Sequence, residues 1–337
     1  MMNTLNEAKE SPGAADVDKK EVKTPHDSVV QKFLQENETV KSLFQEYLPQ
    51  EILSLLDLDT LEFMKEKFVD EALAKFYSDF LYKVKFTDHM EGFIYLLLEH
   101  KSTSYRFTGL QALKYMVRIW DEYLLNNEGV KYLPPVIPVV LYHGRTKWKT
   151  DTRFTALFKV PTVLKKFIPN FRYRLLDINK VPDEEINGVA VLKILLMSLK
   201  YIFKKDLKDK LPEILKLFQE VKNKNSVFDY LVALLTYLGS SAVNLTEEDI
   251  EVSVSEVFEQ GGKIMATIAE KWLNKGKEEG KEEGIKEGKK EGKWEMILNL
   301  LREGLPVDII AKTSGFSADQ IKQYKESLQT RQANLAT

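Results

Sequence analysis

From Asp27 the apolar positions recur at intervals of three and four: Val30, Phe33 and Leu34, then Val40, Leu43, Phe44, Tyr47 and Leu48, closed by Pro49. That spacing lines one face of a helix and predicts one or two amphipathic helices. Over residues 76–86 the period drops to two, with Phe80, Tyr82, Val84 and Phe86 on one side and Asp79, Leu81, Lys83 and Lys85 on the other, which predicts a strand. Turn residues fill 87–92, and 93–98 is an unbroken apolar run ending in Glu99, as suits a strand buried on both faces. The two runs make a hairpin. Leu110, Leu113, Val117, Trp120, Tyr123 and Leu124 return to helical spacing, and residues 135–142 to strand character. The order strand, strand, helix, strand defines an α/β core, and the helix lets the strands 93–98 and 136–142 pair in parallel. Residues 171–178 offer a further strand.

Residues 184–273 read as helical almost throughout, notably 191–202, 211–221 and 227–238. Then Gly276, Gly280, Gly284, Gly288 and Gly292 recur at every fourth position among Lys and Glu. Each glycine inside a helix costs about 0.8 to 1 kcal/mol relative to alanine, so one continuous helix needs an offsetting contact. Two readings stay open: a helix that pairs two chains through the glycine stripe, giving a homodimer, or a flexible charged linker. Residues 295–303, 306–313 and 318–328 predict three short helices, punctuated by Gly304, Pro306 and Gly315, with Ser317 and Gln320 as a capping box. The unit resembles a helix-turn-helix, and its last helix, with Lys322, Gln323 and Lys325, either touches DNA or packs against a partner. The expected organisation is a disordered leader at 1–25, a core at 26–180, a helical extension at 181–273, the repeat at 274–293 and the terminal unit at 294–330.

Composition narrows the class. The 337 residues are 44% hydrophobic and 30% charged, which fits a packed core under a charged surface. Cysteine is absent, so disulfides, thiolate zinc sites and thiol nucleophiles are excluded, and four histidines give little support to a histidine-metal hydrolase. The net charge of -2 excludes a globally basic nucleic-acid binder, so any DNA contact comes from a local patch. Residues 1–21 hold no apolar core segment, and the longest apolar stretch, 189–203, is broken by Lys193 and Lys200, short of the roughly 20 residues a span requires. A cytoplasmic protein without membrane contact is expected.

One constellation carries chemistry. Hydrolysis of a phosphodiester needs a hard cation, magnesium or manganese, held by one or two carboxylates. Glu99 and Lys101 are two residues apart and share a strand face, and Asp79 lies on the preceding strand opposite its apolar row. A register placing Asp79 beside Glu99 gives a metal site at one sheet end, with the His100 carbonyl as a further ligand and Lys101 reaching the attacking water. Glu-x-Lys also occurs at Glu7/Lys9, at Glu220/Lys222 and within the glycine repeat, so spacing alone carries little. Position after a buried strand sets Glu99 and Lys101 apart, and the residues leave open a catalytic site or a surface hairpin salt bridge. Asp70, Glu71 and the His26/Asp27 pair read as accessory groups or as caps, and His89 and His143 fall in loops beside the strands.

The segments PHDSVVQKFL, FYSDFLYKV, YLLLEHKST, LPPVIPVVLYHG, the GKEEG repeat and GLPVDIIAKTSGFSADQIKQY, in that order from about His26 to Leu328, resemble the Rpn family of bacterial recombination-promoting nucleases, also called YhgA-like transposases. The resemblance implies a PD-(D/E)xK restriction-endonuclease-like fold, a mixed sheet flanked by helices, and metal-dependent DNA endonuclease activity linked to recombination or mobile elements. It places the family's acid on Asp79 and its Glu-x-Gln/Lys element on Glu99 and Lys101. Gln111, on the following helix, falls where related nucleases carry a supporting polar residue; a surface glutamine is the other reading. Ser78 stands where the literal motif has proline. A decayed nuclease core that serves as a DNA-binding or transposition accessory is the alternative function. A transposase proper would need a third separated acid, which is not identified.

Overall fold

The computed structural model describes residues 25–64, 79–87, 90–99 and 105–324. Both amphipathic repeats form helices, α1 (Pro25–Leu34) and α2 (Asn37–Tyr47), and Val30, Phe33, Leu34, Val40, Leu43 and Phe44 are buried as their spacing requires. The one-turn α3 (Gln50–Leu53) follows Pro49. It leads into β1 (Leu56–Met64), an element the apolar pattern does not predict, because only Leu56 and Leu61 of its residues are buried. Then come β2 (Asp79–Phe86), β3 (Glu91–Glu99), α4 (Thr108–Asn126), β4 (Val136–Tyr142) and β5 (Arg174–Asp177). The sheet has five strands in sequence order, antiparallel through β1, β2 and β3 and parallel through β3, β4 and β5. A right-handed crossover is the rule for such a parallel pair, and α4 is its helix. β5 joins β4 only from Val139 onward, so Pro138 falls where β4 still has an open edge, where a missing N–H is tolerated.

The sheet is covered on both faces, which is why β3 reads as a continuous apolar run. On one face Tyr82 donates its hydroxyl to Leu34 O at 3.0 Å and meets the Phe44 ring edge-on at 5.6 Å, which docks α1 and α2. On the other, Leu81, Tyr95, Leu97, Val140 and Tyr142 form one core with Tyr115, Met116 and Ile119 of α4. The inward face of α4 corrects the sequence expectation. Its buried residues are Thr108, Gly109, Gln111, Ala112, Tyr115, Met116 and Ile119, whereas Leu110, Val117 and Leu124 are 39%, 44% and 48% exposed. Small residues in its first turns let the helix approach the sheet; of the predicted series, Trp120 and Tyr123 pack on this core, while Leu110, Val117 and Leu124 face outward.

The helical extension comprises α5 (Ala190–Tyr201), α6 (Leu207–Lys216), α7 (Lys224–Ser241) and α8 (Glu247–Val257). It belongs to the same compact unit as the sheet, ending at Gly262. Phe33 of α1 packs on Tyr230 of α7 at 4.8 Å. Asp183 ties the segment after β5 to the helices: it accepts from Lys200 Nζ at 2.6 Å and Tyr201 Oη at 2.6 Å, and pairs with Lys210 Nζ at 2.8 Å.

The second unit runs from Lys263. The repeat is helical, within α9 (Gly261–Arg302), and a Cβ added at Gly276, Gly280, Gly284, Gly288 or Gly292 would meet nothing within 4 Å among the described residues. The helix predicted at 295–303 is therefore the end of α9. Gly304 (φ 82) ends it, α10 (Val307–Ser314) follows, and Gly315 (φ 78) adopts the left-handed conformation that stops α10. Residues 318–324 are helical, with the Ser317/Gln320 capping box formed at 3.2 and 2.8 Å. Ile297, Ile310 and Ile321 make the core of this unit. Residues 1–24 of the leader, residues 76–78, Asp70, Glu71, His89, His100 and Lys101 lie outside the described residues.

Candidate functional site

The three parallel strands end in register. Glu99 pairs with Tyr142, and Tyr142 with Asp177, so the last residues of β3, β4 and β5 form one row at the carboxyl end of the sheet. Asp79 opens β2 opposite Leu97. The hairpin therefore places Asp79 not directly across from Glu99 but on the diagonal, two residues away, where partners on one face stand about 7 to 8 Å apart. Paired positions share a face and so do positions two apart, so Asp79 and Glu99 fall on the same face of the sheet, the one that carries Leu97 and α4. The backbone thus brings two acidic positions to the same end of one sheet face.

Gln111 marks the same place. Tyr115 stacks on Tyr95 at 4.6 Å, and Gln111 lies one helical turn earlier in α4, on the side of the helix end that follows the carboxyl end of β3. The residue is 6% exposed, so it is not a surface glutamine. Neither its amide nitrogen nor its carbonyl oxygen has a hydrogen-bond partner among the described residues. A buried amide left in this state is costly in a purely structural site.

Asp177, which sequence reasoning passed over, has a different task. Its carboxylate is 7% exposed, accepts from Asn179 N at 3.3 Å and lies 3.5 Å from Lys180 Nζ. It caps the turn after β5. Two strands, about 10 Å, separate its backbone from that of Glu99. Among the described residues no three His, Asp or Glu side chains gather as a metal site. His143 follows β4 as its sequence position suggests, but it is buried, with its ring stacked on Phe203 at 5.9 Å.

Beyond this row the β4–β5 connection lines a cavity of about 450 Å³ with Arg106, Lys147, Lys149 and Asp151 among its walls. Sequence reasoning did not reach these cations; the signal was the local charge imbalance of residues 143–177, hidden in a nearly neutral total. No helix among the described residues is long and apolar enough to cross a membrane.

The family model described as "Putative transposase, YhgA-like" matches residues 24–228, which include the whole sheet and α1 to α6. The chain is 30% identical over 253 residues to recombination-promoting nuclease RpnD of Escherichia coli O157:H7, covering 74% of this chain and 94% of that protein. It is 25% identical over 304 residues to recombination-promoting nuclease RpnA of Escherichia coli (strain K12), covering 90% of this chain and 98% of the relative. A third relative in the same strain, 27% identical over 62% of this chain and 70% of its own length, is the inactive recombination-promoting nuclease-like protein RpnE. No solved structure matches.

Proposed function

The chain belongs to the YhgA-like transposase family, and on that footing we propose that it is a metal-dependent DNA endonuclease acting in recombination, with Asp79, Glu99 and Lys101 at its centre and Gln111 in support. The observation that carries the proposal is the register: Asp79 and Glu99 share one sheet face on the diagonal at the carboxyl end of the parallel strands, and the helix that covers that face carries the unpartnered amide of Gln111. Magnesium or manganese held there supplies a Lewis acid and lowers the pKa of bound water.

Each protein group has a distinct duty. Asp79 and Glu99 supply the anionic oxygens a hard cation requires, and the His100 carbonyl adds a neutral one. Lys101, two residues beyond Glu99 in sequence, holds the attacking water and offsets charge developing on phosphorus. The Gln111 amide can donate to an oxygen of the water or phosphate while its carbonyl accepts, which gives its two unpartnered atoms a use.

Nicking of supercoiled DNA by Glu99→Ala, with magnesium and with manganese, tests the acid; retained activity with both would exclude it. Single-turnover rates test Lys101. Lys101→Ala should cut roughly a hundredfold more slowly with DNA affinity unchanged, by analogy with loss of one transition-state donor, and Lys101→Gln should keep part of the rate. The inactive relative favours a second reading, a DNA-holding accessory; the parent protein would then bind DNA and leave it uncut.

A further inference from the structure

Positive charge is unevenly placed along the chain. The whole sequence has 49 Lys and Arg against 51 Asp and Glu, yet between His143 and Asp177 there are nine Lys and Arg against two acids, Asp151 and Asp177. That segment joins β4 to β5 and leaves the sheet beside the end where Tyr142 pairs with Glu99.

Trp148 fixes its course. The indole is buried, meets Tyr142 at 4.9 Å and Tyr173 at 6.2 Å, and donates its Nε1 to Thr150 O at 2.8 Å. Tyr142 Oη donates to Thr146 O at 2.7 Å. With Trp148 turned into the core, its neighbours Lys147 and Lys149 are exposed, and both line the 450 Å³ cavity together with Arg106. Arg106 lies just before α4, on the segment to which Thr150 donates through Oγ1, at 3.4 Å from Tyr105 O. The carboxylate in the lining, Asp151, is already engaged: Arg153 Nη2 lies 2.6 Å and Nε 3.1 Å from its oxygens, and that guanidinium holds its carboxyl down to about 2. Among the described residues, Arg106, Lys147 and Lys149 line the cavity with one acid, Asp151, whose charge is offset by Arg153.

We propose that this cleft is a phosphodiester-binding site, in which Arg106, Lys147 and Lys149 hold the backbone of duplex DNA beside the sheet end that carries Asp79 and Glu99. The cleft lies outside the carboxyl ends of parallel strands, where open α/β sheets take their ligands. Its volume is in the range of ordinary ligand sites, roughly 300 to 1,000 Å³, and it admits a sugar–phosphate unit. A forked guanidinium and two ammonium point charges suit phosphate oxygens, and duplex DNA presents one charge per ~1.7 Å of axis. The placement relies on the nuclease reading, whereas the phosphate binding rests on the cleft itself.

The test uses the full chain and a short labelled DNA duplex, with fluorescence anisotropy recorded in chelator so that cutting plays no part. Salt is varied from about 50 to 200 mM. The parent should lose affinity steeply with salt. The variant R106A/K147A/K149A should bind at least tenfold more weakly, with a log–log slope shallower by about 2 to 3, near 0.9 per phosphate contact removed. K147R/K149R should keep the parent slope, and so should K131A/K222A, whose lysines lie away from the cleft. A parent that ignores the duplex, a triple variant with the parent slope, or tighter binding of an RNA duplex of the same sequence would overturn the proposal. Salt-dependent binding lost in the triple variant, by a parent that never cuts in magnesium, would uphold the cleft and refute the nuclease reading.

Discussion

Gln111 is a residue whose conformational stability and function should pull apart. Both amide atoms are buried without a hydrogen-bond partner among the described residues, so Gln111→Leu, which keeps the volume and removes the orphaned atoms, should leave stability unchanged or raise it by about 1 to 3 kcal/mol. DNA cleavage should fall in the same variant. Denaturant melts beside nicking assays read both, and a variant destabilised by more than 1 kcal/mol with intact cutting would make Gln111 a structural residue. Asp183 gives the opposite case. Burial opposes its charge, but hydrogen bonds from Lys200, Lys210 and Tyr201 outweigh burial and hold its carboxyl well below the usual carboxylate range. A depressed folded pKa means that the stabilisation is fully present above the unfolded value near ~3.9 and is lost as pH falls below it. Asp183→Asn should therefore cost roughly 2 to 3 kcal/mol at neutral pH, somewhat under the cost of breaking a fully buried pair, and the gap to the parent should begin to narrow only as pH falls below the unfolded value and go on narrowing toward the depressed folded one. A gap constant across pH would contradict the ion-pair account.

At the scale of elements, period gave faces and left register and depth unread. Alternation in β2 put Asp79 on one face and Phe80 on the other, but it could not fix where the hairpin slides, and the pairing of Asp79 with Leu97 came only from the structure. β1 escaped notice because its buried residues, Leu56 and Leu61, are five apart and break the period of two. In α4 the series Leu110, Leu113, Val117, Trp120, Tyr123 and Leu124 mixed two faces: Leu110, Val117 and Leu124 are exposed while Trp120 and Tyr123 pack on the core, and the first inward turns were hidden by the small and polar Gly109, Gln111 and Ala112. The glycine repeat is helical, yet its stripe is uncovered among the described residues. We propose that the stripe packs against a second copy. Gly280, Gly284 and Gly288 replaced by leucine should convert a dimer into a monomer in light scattering, since close backbone approach would be blocked. A monomeric parent, or a dimer that survives the leucines, would contradict it.

Over the whole molecule, the chain joins a sheet unit with both faces covered to a smaller helical unit with its own isoleucine core. The capped turns of the small unit were legible because Gly304, Gly315, Ser317 and Gln320 act locally, whereas the acidic pair and the basic cleft are assembled from separate stretches of chain. The central claim is that this assembly cuts DNA with a cation held by Asp79 and Glu99. The most direct measurement incubates supercoiled plasmid with the parent in magnesium, with the parent in chelator, and with Asp79→Ala in magnesium, after melting curves show the variant folded. The account predicts nicked and linear DNA in the first reaction and intact plasmid in the other two. Cutting that persists in chelator, or full activity in Asp79→Ala, would contradict it.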